Sequence, residues 1–421
     1  MKKGLFVFAT LTLLLGVFNA SALAQKATPN DRFAFLQQIY FENSTHRYDA
    51  YLLTELEAFL RTQPSFGQND QILFMFADVL EQQKHYKRAL INLLKIPVLF
   101  PKSTVRSDAL QKIKQVLKKI KSGSLLEQNE TLLSYARQPH YFDSNDEALL
   151  DLYNFLFSLN IPCLRRALLN ELNFYETRCS ARQSQEDLVL YLKGSLLQQL
   201  GEFAAAEANF RELGSLYKKS PLLPRAYYRT ALLDYKHLHK FTDAQNTFLR
   251  VINSFPTDTL AANAQFFLAE LYADSLDSLS AGIDNYRLFL DAFPNHPWAG
   301  RAFKRLTFLL FKTKRHEEAI TLIASNLNAH ADDSTFYALV DSMAKVFRKD
   351  FKQYKYAARC YVLLASVKPQ SHKAPFYLYT AAKLYLQKVK DRKRAKEICL
   401  RLQKAYKKSP YAVKCRRLLK K

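Results

Sequence analysis

The residues able to do chemistry are few, and their spacing does not suit it. His237 and His239 stand two apart, so on a helix they point to different sides and make a poor metal pair. His316-Glu317-Glu318 falls at an expected turn and is read as solvent-facing. Five cysteines occur, Cys163, Cys179, Cys360, Cys399 and Cys415, with no C-x2-C pair for zinc. Cys163 and Cys179 are expected to share one helix, about 24 Å apart at 1.5 Å per residue, too far to bond. Cys399 is expected to be a small core residue, with a Cys399–Cys415 bridge as the alternative. The chain has no dinucleotide or phosphate-binding glycine loop, no H-E-x-x-H and no G-x-S-x-G. The Asn43-Ser-Thr45 and Asn129-Glu-Thr131 sequons are read as chance matches. The expectation is a protein without cofactor, metal or catalytic residues.

Charge is the stronger chemical signal. The formal net charge is +24, and residues 345–421 carry +21 of it, with 24 Lys and Arg against Asp350, Asp391 and Glu397. A field of that size steers an anionic partner and weakens with salt. Arg392, Lys393, Arg394, Lys407, Lys408, Arg416 and Arg417 are the candidate anion-binding residues. The final helix also alternates these cations with Tyr411, Val413, Leu418 and Leu419. It is read first as a solvated cap on the last apolar face, and second as a segment able to lie on an anionic membrane.

The elements that carry these residues repeat. Ala231, Ala269, Ala344 and Ala382 stand 38 or 75 residues apart. Thirteen residues beyond each come Ala244, Gly282, Ala357 and Ala395, and seventeen beyond come Phe248, Tyr286, Tyr361 and Cys399. Twenty-five beyond come Pro256, Pro294, Pro369 and, breaking the pattern, Lys407. Such a period is the signature of a solenoid built from one supersecondary unit. Each half-unit is apolar at helical spacing, and proline closes the unit, so the unit is two helices. Breaks are expected near residues 201, 240, 276, 314, 352 and 390. Gly194 with Ala206, Ala77 with Ala89, and Thr307 with Ala319 keep the pattern with a turn one residue shorter. Between 104 and 182 the register is lost, although helical patterns continue.

Ala244-x3-Phe248 with Pro256 resembles the tetratricopeptide repeat family. The period of 38 resembles its long-period variety, found in the bacterial outer-membrane-assembly lipoprotein and the Tol-Pal-associated coordinator. The resemblance implies an all-α, right-handed superhelical solenoid of helical hairpins that binds protein partners. It also implies that the first helix of each hairpin lines a concave groove. That face falls on Tyr191, Arg225, Tyr228, Leu232, Tyr235, Asn263, Phe266, Glu270, Arg301, Lys304, Phe308, Phe311, Lys345, Arg348, Tyr379 and Lys383.

Lys2-Lys3, the apolar run from Leu5 to Phe18, and Ala22-Leu-Ala24 before Gln25 read as an export signal. The expected organisation is a signal at 1–24, N-terminal helical repeats at 25–122, degenerate repeats at 123–183, and regular repeats with a basic cap at 184–421. The expected role is an exported, periplasmic, non-enzymatic scaffold for envelope proteins. Its basic end would meet an acidic partner, anionic lipid or lipopolysaccharide, with no nucleic acid expected. Two rival readings stay open: a cell-wall enzyme whose acid and base residues assemble across repeats, and direct lipid or glycan binding.

Overall fold

The computed structural model describes residues 28–178, 185–329 and 333–420. The expected signal and Cys179 lie outside the described residues. Of the described residues 78% are helical, in 22 α-helices with no strand among them. The chain divides into two compact units on either side of the Leu223–Pro224 bond.

The first unit holds α1 (Pro29–Glu42), α2 (Asp49–Thr62), α3 (Asn69–Gln82), α4 (Tyr86–Leu99), α5 (Arg106–Lys119) and the short α6 (Gly123–Glu127). It continues through α7 (Asn129–Arg137), α8 (Asn145–Ser158), α9 (Arg165–Arg178), α10 (Glu186–Gln199) and α11 (Phe203–Leu216). The stretch without sequence register is thus mostly helical as far as residue 178. Cys163 lies in a 3-10 turn, Pro162–Leu164, ahead of α9, and not on the helix expected to carry it together with Cys179. Pro162 opens that turn and displaces the helix start by three residues.

The second unit holds α12 (Leu223–Lys236), α13 (Phe241–Ser254), α14 (Thr259–Asp274), α15 (Leu279–Ala292), α16 (Ala299–Lys312) and α17 (His316–Ala329). It ends with α18 (Ser334–Lys349), α19 (Tyr354–Val367), α20 (Ala374–Leu384), α21 (Arg392–Ala405) and α22 (Pro410–Lys420). All six expected breaks fall between helices or, near 390, at the end of a π-helical turn, Tyr385–Val389, that extends α20.

The small residues pack where the register places them. Ala231, Ala269, Ala344 and Ala382 are fully buried, as are Ala244, Ala357 and Ala395. A Cβ added at Gly282 would stand 3.0 Å from the Cβ of Ala273 and 3.2 Å from its backbone nitrogen, so helix backbones touch there. At Gly194 it would stand 2.8 Å from the Phe210 ring. Phe248 and Tyr286 are fully buried and Tyr361 nearly so, filling the space that the small residues leave.

The spacing between small residues also sets the turn. Where it is thirteen, the closing bond spans six residues: Lys240 N donates to Asp234 O, Ser278 N to Tyr272 O, Gln353 N to Phe347 O and Asp391 N to Tyr385 O, at 2.8–3.0 Å. Where it is twelve, the bond spans five: His85 N donates to Leu80 O, Glu202 N to Leu197 O and Arg315 N to Leu310 O, at 2.8–2.9 Å. The second set is the Schellman closure. In every case the residue before the closing donor has positive φ: His239, Asp277, Lys352 and Lys390 in long turns, Lys84, Gly201 and Lys314 in short ones. Glycine occupies this left-handed position once, at Gly201, where φ is +83° and an added Cβ would meet nothing.

Four connections that leave second helices in the second unit are likewise alike. Phe255, Phe293 and Lys368 cap their helices at φ of −135°, −131° and −120° ahead of Pro256, Pro294 and Pro369. Tyr406 takes the same conformation, φ −131°, ahead of Lys407, so the missing proline changes the residue and keeps the path. The Tyr406 hydroxyl donates to Pro369 O at 2.7 Å and ties this connection to the preceding one.

Cys399 and Cys415 form a disulfide, with Cα atoms 5.7 Å apart, that ties α21 to the terminal helix α22. This corrects the reading of Cys399 as an unpaired core residue. Its slot is the buried aromatic one, and α22 caps that slot with a second sulfur. Cys360 is wholly buried, and burial pushes its thiol up to about 12, so it is inert at neutral pH.

Ion pairs join hairpins in the first unit. Glu81 accepts from Lys119 at 2.7 Å and lies 2.9 Å from Lys112, which also meets Asp78. Burial on its own would raise the Glu81 carboxyl; the hydrogen bonds from Lys119 and Lys112 outweigh it and hold the group below its ordinary 4.5.

Two predictions follow from turn and charge. Gly201→Ala forces a side chain into a left-handed position and should cost about 1–2 kcal/mol in denaturant unfolding, whereas Lys352→Gly should be neutral or gain up to about 1 kcal/mol. Equal effects of the two would contradict the turn assignment. A carboxyl whose pKa falls on folding adds stability above its unfolded value and loses it as pH drops through the folded one. Glu81→Gln should therefore cost about 1–3 kcal/mol at neutral pH and flatten the loss of stability on acidification below 4.5. An unchanged acid limb would contradict it.

Candidate functional site

The first helices of the second unit carry a ladder of cations, carboxylates and rings. Glu270 on α14 is buried and accepts from Arg301 of α16 at 2.5 Å, while Lys236 of α12 stands 3.8 Å from its other oxygen. One turn on, Asp274 receives both oxygen contacts of Arg305, at 2.5 and 2.6 Å, and Arg305 also reaches the Tyr286 hydroxyl at 3.3 Å. The Arg301 guanidinium lies 4.8 Å from the centre of the Phe266 ring, and the Lys236 ammonium 3.8 Å from that of Tyr235. Burial lowers the Lys236 ammonium from its ordinary value, and Glu270 and Asp274 pull it back up. Burial raises the Tyr228 and Tyr235 phenols to about 12, so both stay neutral.

This geometry sorts the residues expected to line a groove. Arg225, Arg301, Lys304, Phe308, Lys345 and Lys383 are exposed, and Tyr228, Leu232, Asn263, Arg348 and Tyr379 are half-buried. Tyr191, Tyr235, Phe311 and Glu270 are buried, and Phe266 is completely so. For Phe266 the correction is definite: its ring packs on Tyr286, Phe289 and Trp298 at centroid distances of 5.7, 5.6 and 5.1 Å, so it fills the core between hairpins and offers no surface. Phe311 stacks on Phe347 at 3.6 Å in the same way. Glu270 is spent on Arg301 and Lys236. Lys345 pairs with Asp341 at 2.8 Å.

At the basic end most cations stay unpaired. From residue 345 on, only Lys345, Lys355, Arg359 and Arg394 stand within ion-pair distance of a carboxylate among the described residues. Arg392, Lys393 and Arg394 open α21, Lys407 and Lys408 follow its end, and Arg416 and Arg417 ride on α22; all seven are exposed. Arg392 donates to Leu419 O at 3.3 Å and so shares in holding the cap. Three cations in the first turn oppose the helix dipole, each at a cost of about 0.3–1 kcal/mol, with Asp391 alone at the N-cap to offset them.

Sequence reasoning missed a polar cluster in the first unit. Lys95 is buried and reaches Glu171 at 2.5 Å and Asn92 at 2.8 Å, and Asn92 also donates to Glu171 at 3.1 Å. A cleft of about 410 Å³ opens beside it, flanked by Arg61, Arg88 and Phe174. Lys95 on α4 and Glu171 on α9 stand 76 residues apart, and Glu171 lies in the stretch without register, so nothing local signals the pair. Among the described residues no cluster of His, Cys, Asp and Glu could hold a metal ion, and no helix is long and apolar enough to cross a membrane.

Paired helices, small residues at their crossings and two recurring turns decide the fold type. The hairpins are tetratricopeptide-like. No family's sequence model matches the chain. The outer membrane protein assembly factor BamD of Xylella fastidiosa (strain 9a5c) is 26% identical over 151 residues, 32% of this chain and 51% of that protein. The chain thus spans about half the length of the curated relative it matches. Among solved structures, a MamA double mutant shares 20% identity over 45% of this chain and 98% of its own, with a TM-score of 0.36. The C-terminal part of a TPR repeat-containing protein from Cytophaga hutchinsonii shares 13% over 63% of this chain and 98% of its own, with a TM-score of 0.39. The apo form of RapI shares 12% over 93% and 98%, with a TM-score of 0.41.

The tetratricopeptide-like ladder yields a prediction. Glu270→Gln should cost about 1–2 kcal/mol and, by removing an attracting charge, lower the Lys236 pKa further as followed by NMR titration. An unmoved Lys236 would show that the carboxylate does not bind the hairpins together.

Proposed function

We propose that this protein is an exported, non-enzymatic scaffold that binds protein partners in the bacterial cell envelope and uses its basic C-terminal end to engage an anionic one. The unpaired cations of the last hairpins carry this reading. Those in the first turn of α21 work against its dipole, and all of them repel one another; an anionic partner relieves both costs. The tetratricopeptide-like hairpins support a role in protein–protein contact. Three observations support the compartment: the signal-like first 24 residues, the partial likeness to an outer membrane assembly factor, and a disulfide, a bond that persists in oxidising compartments. The exposed first-helix residues Arg225, Lys304, Phe308 and Lys383 are a second surface for a protein partner.

The test joins export to charge. The secreted chain should begin at Gln25 by mass spectrometry. Changing Lys383, Arg392, Lys393, Arg394, Lys407 and Lys408 to Glu should abolish binding of purified protein to its envelope partner at low salt, and wild-type binding should weaken steeply above an ionic strength of about 0.15 M. Unchanged binding by a variant with an intact helical spectrum would contradict the proposal.

A further inference from the structure

The basic end contains a slot that does not belong to the first-helix face. It lies between the second helices of three successive hairpins, α17, α19 and α21, and encloses about 480 Å³. On α19, Arg359, Val362, Leu363 and Ser366 follow one another at i, i+3, i+4 and i+7, and on α21 Arg394, Ile398 and Arg401 do so at i, i+4 and i+7. Two helical stripes of similar pattern therefore flank the slot, apolar in the middle, with arginine at both edges on α21 and with Arg359 at one edge and Ser366 at the other on α19; Glu397 also lines the slot. Ile398 is buried at 7% exposure and Val362 and Leu363 are partly buried, so the floor is apolar and accessible mainly on its α19 side.

Arg401 and Arg394 are weakly engaged, whereas Arg359 already holds a carboxylate of this chain. Arg401 donates to the Ser366 hydroxyl at 3.0 Å and has no carboxylate partner among the described residues. Arg394 meets Glu397 at 3.4 Å, with both side chains half or more exposed, so water screens the pair. Arg359 meets Glu317, which Lys355 approaches at 3.8 Å; the guanidinium hydrogen bond holds the Glu317 carboxyl below its ordinary value.

We propose that this slot holds an acidic amphipathic helix of a protein partner, with its apolar face on Val362, Leu363 and Ile398 and its carboxylates on Arg359, Arg394 and Arg401. The proposal rests on the reading of the basic end as an anion-binding surface and names the partner's chemistry. Arg394 and Arg401 stand about 10 Å apart along α21, two turns, which matches carboxylates seven residues apart on a ligand helix. Guanidinium forks suit carboxylates in bidentate geometry. A bilayer presents its phosphates on a plane and cannot place acyl chains in a slot recessed between helices, so the shape favours a peptide over a membrane.

The experiment uses the mature protein and three probes at low salt: a fluorescent 15-residue helix of Glu and Leu with one acidic and one apolar face, poly-glutamate of equal charge, and phosphatidylglycerol vesicles. The amphipathic helix should bind at least tenfold more tightly than poly-glutamate. R394Q/R401Q should weaken it at least tenfold, with little effect from K407Q/K408Q, and the vesicles should not displace it. Binding unchanged in R394Q/R401Q but lost in K407Q/K408Q overturns the slot while leaving an anion-binding basic end. Displacement by vesicles overturns the slot in favour of a membrane. No binding of any probe overturns the slot and the reading beneath it.

Discussion

Two helix backbones can touch only where one side lacks bulk, and that contact governs the second unit. Ala231, Ala269, Ala344 and Ala382 are fully buried, and each is followed thirteen residues later by another small residue. Once the small residues face each other, the length of chain between them is fixed, and so is the turn that closes it. Thirteen residues require a bond across six, twelve a bond across five. The left-handed residue ahead of the closing donor is a consequence of that closure, which is why lysine, histidine or aspartate tolerates it.

The same constraint places the charge. A hairpin tied at its small residues exposes the outer stripes of its second helix, and in the last two hairpins those stripes are arginine and lysine. The carboxylates that pair cations elsewhere, Glu270, Asp274 and Glu81, sit between neighbouring hairpins and hold them together. At the basic end such carboxylates are few, so the cations stay in solvent. The disulfide then secures the cap that must close the last apolar face, where cationic α22 alone has little to bury.

The repeat was legible because it is written in residue size. The anchors, the breaks and even the two turn classes follow from positions of alanine, glycine and proline. Side-chain destination was less legible. Phe266 shares its helical face with groove residues, yet Trp298 of the next connection covers it, and that contact is invisible in the local pattern. Cys399 occupies a buried slot whether or not it is bonded, so burial could not decide its partner. The Lys95–Glu171 pair joins α4, which keeps the register, to α9, which lies in the stretch without one, so only the folded chain brings the two together.

The account turns on whether the basic second helices meet a protein in the envelope. Photo-crosslinking in living cells tests this most directly, with a photoreactive residue placed singly at Leu363 or Ile398 in the slot and at Arg61 or Arg88 in the first unit. The account predicts discrete protein adducts from Leu363 and Ile398 that vanish at high salt in isolated envelopes. Adducts from Arg61 or Arg88 alone, with none from the slot, would contradict it.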